Sequence, residues 1–228
     1  MDREKFLARI KENLRHTRLP EAGAGHPGLF QGDGSQTDVP ASELVKDFKR
    51  ELEALAGNVH ILVDIEATAE KILEILRGHQ ARRILAWADP SLALPGISDA
   101  LTVAGVTIER VGLSADGVAR RTELLQIDDV IVGLTGAHGG LADTGAIALI
   151  SGPGRSRLAS LLPPVHIALL SQSKIYPSLS SFLAAHPAAA ETGSNLVFIA
   201  GPSRSGDIEL TLSMGVHGPG EVHVIILP

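Results

Sequence analysis

Polar residues that could bind an anion follow a predicted strand near the C-terminal end of the chain. The sequence GPSRSG begins at Gly201, and we predict a helix over 207–214 after it. The free N–H groups at the start of that helix and the guanidinium of Arg204 would attract an anion. The carboxylates of Asp207 and Glu209 would repel an anion, so they would instead pair with Arg204 or bind a hydroxyl group.

Two other segments hold residues that could exchange a proton or bind a ligand. His217 lies in the sequence GVHGP, whose glycines let a ligand or another backbone approach the ring, and an imidazole titrates near neutral pH. Asp143 and Thr144 precede Gly145; the carboxylate could orient a substrate hydroxyl or act as a base, and the hydroxyl could bind an anion. The alternative for both segments is structural, with a hydrogen-bonded turn histidine and side chains that satisfy turn amides.

A fourth segment carries two arginines in a loop of glycine and proline. Arg155 and Arg157 come just before a short predicted helix over 156–162, and two guanidinium groups near a helix start suit a phosphate or a carboxylate. Considered by themselves, these residues are better explained as solvated arginines on a mobile loop. His166 opens the next predicted strand, where a histidine is more often a hydrogen-bonded core residue than a ligand.

Composition and missing motifs exclude several classes of chemistry. The 228 residues include no cysteine, so the chain holds no disulfide, thiolate nucleophile, Cys-ligated zinc or iron–sulfur cluster. The GxGxxG, P-loop, HExxH and GxSxG patterns are absent, which argues against a standard nucleotide fingerprint, a metal site and a serine hydrolase. The net charge of −6 argues against a nucleic-acid partner. With a charged N-terminal segment and no stretch suited to a membrane span, we expect a cytoplasmic protein.

From residue 41 onward, predicted strands alternate with predicted helices. Apolar runs predict strands at 59–64, 83–88, 106–111, 129–135, 146–151, 165–171, 196–201 and 221–227. Helical periodicity predicts a helix that Ser42 caps and Gly57 ends, and further helices at 66–77, 96–105, 156–162, 174–185 and 207–214. This alternation predicts an α/β domain of three layers with a mostly parallel sheet. Since ligands bind beyond the carboxyl ends of such strands, we expect the polar turns to meet at one edge.

The first 40 residues have a different pattern. Residues 2–18 predict an amphipathic helix, and residues 20–40 are rich in glycine and proline without periodicity, which predicts a flexible linker. We therefore divide the chain into an N-terminal helical appendage at 1–40 and an α/β domain at 41–228. The amphipathic helix would pack either on its own domain or on a neighbouring subunit.

The order and spacing of these motifs resemble the LUD-domain family of lactate-utilisation proteins, and within it the LutC or YkgG group. The matching segments are GLT at 133–135, ADTG at 142–145, LP at 162–163, GPSRSGDIE at 201–209 and GVHGP at 215–219. The last two together are specific, and the resemblance covers roughly residues 40–228. The chain departs from the family pattern with Asp143 where glutamate is common, Ala146 where a hydroxyl residue is common, and Gly206 where alanine is common.

The resemblance implies a fold like that of the NagB, RpiA and CoA-transferase-like proteins. It also implies a role in the oxidation of L-lactate to pyruvate by a three-protein system. In that system the iron–sulfur clusters are expected on partner subunits, and this chain, which lacks cysteine, would carry no cofactor of its own.

Our leading hypothesis is a cytoplasmic component of this system that binds a small anion such as lactate, pyruvate or a nucleotide-like molecule. Arg204 would hold the anion, Asp143 a hydroxyl or a proton, and His217 would be a titratable donor; Asp143 and His217 are the catalytic candidates. The predicted ligand-binding residues are Thr135, Asp143, Thr144, Gly145, Gly201, Ser203, Arg204, Ser205, Asp207, Glu209 and His217.

Two other functions remain open at this point. The chain could be an assembly or regulatory subunit without chemistry of its own, which the amphipathic helix over 2–18 favours. It could also be a stand-alone enzyme similar to CoA transferases, phosphosugar isomerases or folate cyclo-ligases. The carboxylates of Asp207 and Glu209 are the candidate nucleophiles for that enzyme, but the likeness rests on fold alone.

Overall fold

A computed structural model describes most of the chain beyond residue 38. The described residues are Lys5 and the ranges 39–88, 90, 92, 94–110, 116–189, 193–206, 212–214 and 217–228. Apart from Lys5 and residues 39–40, the predicted helix over 2–18 and the linker over 20–40 lie outside the described residues. The division of the chain at residue 40 therefore stays a prediction.

Twelve strands and six α-helices occur within the described ranges. The strands are β1 (Asn58–Ile61), β2 (Arg83–Ala86), β3 (Thr107–Glu109), β4 (Val132–Gly136), β5 (Gly139–Leu141), β6 (Ala146–Ser151), β7 (Val165–Ser171), β8 (Ile175–Tyr176), β9 (Asn195–Ile199), β10 (Arg204–Gly206), β11 (Leu212–Met214) and β12 (Glu221–Leu227). The helices are α1 (Ala41–Ala54), α2 (Ile65–Gly78), α3 (Ile97–Val103), α4 (Gly117–Ile127), α5 (Leu158–Leu161) and α6 (Leu179–Ala185), and a 3-10 turn spans Gln172–Lys174.

The main sheet has six parallel strands in the order β1-β12-β7-β4-β2-β3. Strands β4, β7 and β12 are buried along nearly their whole length, as their continuous apolar runs require in a sheet covered on both faces. Helix α5 and a second sheet lie on one face, and helix α2 lies on the other. The predicted three-layer α/β fold with a mostly parallel sheet is confirmed.

The second sheet is mixed and has the order β8-β5-β6-β9. Strand β5 pairs antiparallel with β6, and a tight turn joins these two strands. Strand β6 also pairs antiparallel with β9.

No helix within the described ranges is both long enough and apolar enough to cross a bilayer.

The helix predicted over 207–214 is wrong at its C-terminal end. Residues 212–214 form β11, which pairs antiparallel with β10, and Arg204 lies opposite Met214. Residues 208, 210, 212 and 214 are apolar and alternate with polar ones, which is the period of a strand and not of a helix. Arg204 and Ser205 belong to β10 and not to a turn, and residues 207–211 lie outside the described residues.

The starts of three helices show how local sequence sets the elements. Asp64 accepts a hydrogen bond from Ala67 N at 2.8 Å and caps α2, and Asp116 caps α4 in the same way. Helix α1 begins one residue before the predicted cap Ser42, because the carbonyl of Pro40 accepts the N–H of Glu43. Helix α4 was not predicted, since apolar residues on its exposed side obscure the helical period.

Helix α5 packs against β4 at a position without a side chain. A Cβ at Gly133 would lie 1.8 Å from the carbonyl oxygen of Ala159 and 3.2 Å from the Cγ of Pro163. The first distance is far below van der Waals contact, and its partner is backbone, which cannot rotate away. The glycine is therefore what allows the short helix to lie directly on the sheet.

We expect Gly133→Ala to lower the free energy of unfolding by about 3 kcal/mol or more, because either the helix or the strand must move. Urea denaturation followed by circular dichroism measures this change. Gly78→Ala is the matched control, since a Cβ there would meet nothing within 4 Å, and it should leave stability unchanged or raise it by up to about 1 kcal/mol. Equal stabilities of the two variants would contradict the packing described.

Candidate functional site

The main sheet has a topological switch point between β2 and β4. From β2 the chain continues outward to β3, whereas from β4 it continues to β7 and β12 on the other side. The crevice at the carboxyl ends of two such strands is the usual ligand-binding place of open α/β sheets. Trp87 directly follows β2, and His138 lies two residues after β4, so both occupy this edge.

Trp87 and His138 contact each other across the switch point. Their ring centroids are 5.8 Å apart, with the planes at 62°. The indole is 1% exposed, and its Nε1 donates to the carbonyl of Ser156 at 2.9 Å. The carbonyl of Trp87 accepts a hydrogen bond from Nη1 of Arg110, whose Nη2 donates to Ser98 Oγ at 3.0 Å. The floor of the crevice is therefore held by several hydrogen bonds.

His138 is a neutral hydrogen-bond donor. Its Nδ1 accepts the backbone N–H of Ile150 at 3.1 Å, so the neutral ring carries its proton on Nε2. Burial, and after it the positive charge of Arg155, lowers the pKa of His138 from 6.5 to about 4. At neutral pH this ring can donate to a ligand at the edge of the sheet but adds no positive charge there.

Thr135, a predicted ligand-binding residue, lies inside the core. Its Oγ1 is 2.9 Å from Nε2 of His166, and both residues are completely buried on the face that α5 covers. Burial, and to a smaller extent the charge of His223, lowers the pKa of His166 to about 3, so this ring is also neutral. Nδ1 of His166 has no hydrogen-bond partner in the described part of the chain.

Two of the three predicted residues between β5 and β6 lie on the surface, and the third packs against α1. Asp143 and Thr144 are exposed in the turn, and the N–H of Asp143 donates to the carbonyl of Pro177 at 3.2 Å. Gly145 has φ +64° and packs against α1, where a Cβ would lie 2.3 Å from the backbone nitrogen of Leu52. This turn is therefore fixed by contact with the C-terminal part of α1.

The turn after β9 contacts the same end of α1. Nη2 of Arg204 donates to the carbonyl of Leu55 at 2.7 Å, next to Gly201, which has φ +86°. A cation at this position also interacts favourably with the negative end of the helix dipole. The N–H of Ser203 donates to the carbonyl of Pro219 at 2.8 Å, which brings this turn beside the exposed His217.

Several predicted site residues are brought near one another, and others lie outside the described residues. Gly145 and Arg204 contact one helix end, and His217 lies two residues before the Pro219 that accepts the Ser203 N–H. Asp207 and Glu209, and the side chain of Ser205, are outside the described residues. The convergence of Asp143, Arg204 and His217 on one ligand therefore stays a prediction.

A row of titratable side chains crosses β1 and β12 on the other face of the main sheet. His60 Nε2 lies 3.0 Å from His223 Nδ1, and His223 Nε2 lies 2.7 Å from Oε1 of Glu221. The second carboxylate oxygen is 3.0 Å from Nε2 of His79, at the end of α2. Burial is the main cause that lowers the pKa values of His60 and His223. Within the described ranges, no group of three His, Asp or Glu side chains is arranged to hold a metal ion.

Sequence reasoning missed Trp87 and His138 as site residues. Each follows an apolar strand, which was the signal that selected the other turns. The order of strands in the sheet decides which two strand ends form the crevice, and that order is not visible in the sequence. The row of His60, His223 and Glu221 was missed for the same reason, because it depends on β1 pairing with β12.

Comparisons with known proteins identify relatives over almost the whole chain. A family model described as the LUD domain matches residues 45–227. Proteins named lactate utilization protein C are 36% identical in Exiguobacterium sp. and 30% identical in Geobacillus sp.; each match covers 99% of this chain and at least 95% of the relative. The crystal structure of a DUF162 family protein from Deinococcus radiodurans is similar with a TM-score of 0.60 at 20% identity, over 83% of this chain and 99% of that one. This last likeness supports the fold.

We expect stability to fall between pH 6.5 and pH 4, partly because of His166. The unfolded chain binds a proton at this residue below about pH 6.5, whereas the folded chain does so only near pH 3, so acid favours unfolding. His166→Gln should lower the free energy of unfolding at pH 7. It should also reduce the slope of that free energy against pH by up to about 1.4 kcal/mol per pH unit. Urea denaturation curves at several pH values measure the free energy of unfolding and its slope against pH. His217→Gln, at an exposed position, is the control. An unchanged slope in His166→Gln would contradict the assignment.

Proposed function

This chain belongs to the LUD domain family, and on that premise we propose that it works in lactate utilisation, as its relatives named lactate utilization protein C do. The observation that supports the proposal is the extent of the match. The family model covers residues 45–227, and the relatives align over nearly their own whole length, so the likeness is not confined to one shared segment.

The chain would be the component of that system without a redox centre. Oxidation of lactate to pyruvate removes two electrons and two protons, and unmodified side chains of this sequence do not accept electron pairs. Because the sequence has no cysteine, a thiolate-ligated iron–sulfur cluster would have to belong to a partner subunit. We therefore propose partners that carry such clusters, and a role in binding for this chain.

A small organic anion is the proposed ligand of the turns near the C-terminal end of α1. Arg204 donates one of its five N–H groups to Leu55, so its guanidinium has further donors for a carboxylate. Asp143 is exposed and would accept a ligand hydroxyl, and the exposed His217 would supply a hydrogen-bond donor. Lactate has the carboxylate and the hydroxyl group that this set would recognise.

We expect the chain to restore growth on L-lactate in a bacterium whose own lactate utilization protein C has been deleted. The partner proteins of the host must be present, since this chain would carry no electron acceptor. Growth on L-lactate as sole carbon source is the measurement, and growth on glucose is the control. Failure to grow although the chain accumulates and folds would contradict the proposal.

We also expect the purified chain to bind L-lactate or pyruvate in a calorimetric titration. Arg204→Met should weaken that binding at least tenfold, because it removes the cation proposed for the carboxylate, and Asp143→Asn should weaken the binding of L-lactate, because it replaces the charged acceptor of the lactate hydroxyl by a neutral one. Arg82→Met, at an exposed position before β2, is the matched control and should bind as the wild type does. If neither acid binds, the proposed ligand is wrong; if partners still bind in a pull-down, the role in an assembly remains.

A further inference from the structure

The loop between β6 and α5 begins with a rigid turn. In the sequence Gly-Pro-Gly-Arg at 152–155, proline occupies the second position and Gly154, with φ +70°, the third, as a type II turn requires. The N–H of Gly152 donates to the carbonyl of Arg155 at 3.2 Å, and the reverse hydrogen bond measures 2.9 Å. The turn therefore holds the backbone of Arg155 in a fixed place.

Two long-range hydrogen bonds tie this loop to the switch point of the main sheet. The N–H of Ala88 donates to the carbonyl of Gly154 at 2.8 Å, and Nε1 of Trp87 donates to the carbonyl of Ser156 at 2.9 Å. The hydroxyl of Ser156 also accepts the N–H of Leu158 at 3.3 Å, which fixes the start of α5. These contacts argue against the mobile loop that the sequence alone favours.

A polar cavity of about 340 Å³ opens beside the loop. Its lining residues are Ser151, Gly152, Arg155, Ser156, Arg157, Ser194 and Asn195. Among the described residues, the lining contributes two guanidinium groups, three hydroxyl groups and one amide, and no carboxylate. A volume of this size holds a small ligand.

The positive charge in this cavity has no counter-charge in the described part of the chain. Nε of Arg155 is buried without a hydrogen-bond partner, and neither Arg155 nor Arg157 forms an ion pair with a described residue. A partly buried guanidinium that no described side chain pairs with is costly, and a ligand that supplies negative charge would offset that cost.

We propose that this cavity binds a phosphate group, either as free phosphate or as part of a phosphorylated small molecule. Two guanidinium groups match the two negative charges of a phosphate and can donate to it bidentately. With the hydroxyl groups of Ser151, Ser156 and Ser194, they offer more donors than the two oxygens of a carboxylate can accept. The inference uses none of the residues proposed for lactate and does not depend on that role.

The test is a calorimetric titration of the full chain with inorganic phosphate, with ATP and with L-lactate. We expect phosphate or ATP to bind, and Arg155→Met to weaken that binding at least tenfold while Arg204→Met leaves it unchanged. Binding of ATP at least tenfold tighter than inorganic phosphate identifies a phosphorylated small molecule as the ligand; similar affinities identify free phosphate. Either result supports the proposal.

Three results would overturn it. In the first, neither inorganic phosphate nor ATP gives a heat of binding. In the second, Arg204→Met weakens phosphate binding and Arg155→Met does not. In the third, L-lactate binds at Arg155 more tightly than phosphate does. If Arg155→Met fails to fold, Arg157→Met, at an exposed position, is used in its place, and thermal stability is measured in place of the heat of binding. Phosphate should then raise the Tm of the wild type more than chloride at equal ionic strength, and Arg157→Met should lose most of that difference; an equal Tm in both salts counts against the site.

Discussion

The contact between the carbonyl of Ala159 and the bare backbone at Gly133 determines how the layers of this protein fit together. It allows a helix of four residues to lie directly on β4, and the same helix leads through Pro163 into β7. The helix is too short to be stable by itself, so its position comes entirely from packing on the sheet. The loop that precedes it and the strand that follows it are placed as a consequence, and both border the carboxyl edge of the sheet.

The electrostatics of this edge come from burial as much as from charged residues. His138 is held neutral by its surroundings, so its imidazole contributes hydrogen bonds and not charge to this edge. The positive charge near the switch point comes from Arg155, because a guanidinium stays charged at every physiological pH. This division explains why His138 and Arg155 can lie near each other although neither forms an ion pair with a described carboxylate.

The layer architecture could be predicted from sequence because buried parallel strands read as continuous apolar runs, as at 83–88 and 165–171. The hairpin partner at 212–214 was mistaken for a helix, although its apolar residues alternate with a period of two. Arg155 was interpreted as a solvated residue on a mobile loop, because the hydrogen bond between Ala88 and the neighbouring Gly154 joins residues far apart along the chain and forms only in the folded sheet. Local patterns therefore identified the elements, whereas the site depends on pairings between distant strands.

The cavity beside Arg155 is assembled from both sheets. Ser151 belongs to β6, Ser194 is the residue before β9 and Asn195 is the first residue of β9, while the Gly154 turn is bonded to Ala88, two residues after β2 of the main sheet. If one sheet moved relative to the other, the shape of this cavity would change. Binding of a ligand in the cavity and the relative position of the two sheets are therefore linked thermodynamically. A molecule bound there would stabilise the contact between the two sheets. The backbone amide hydrogens of β6 and β9 would then exchange more slowly than in the unbound protein.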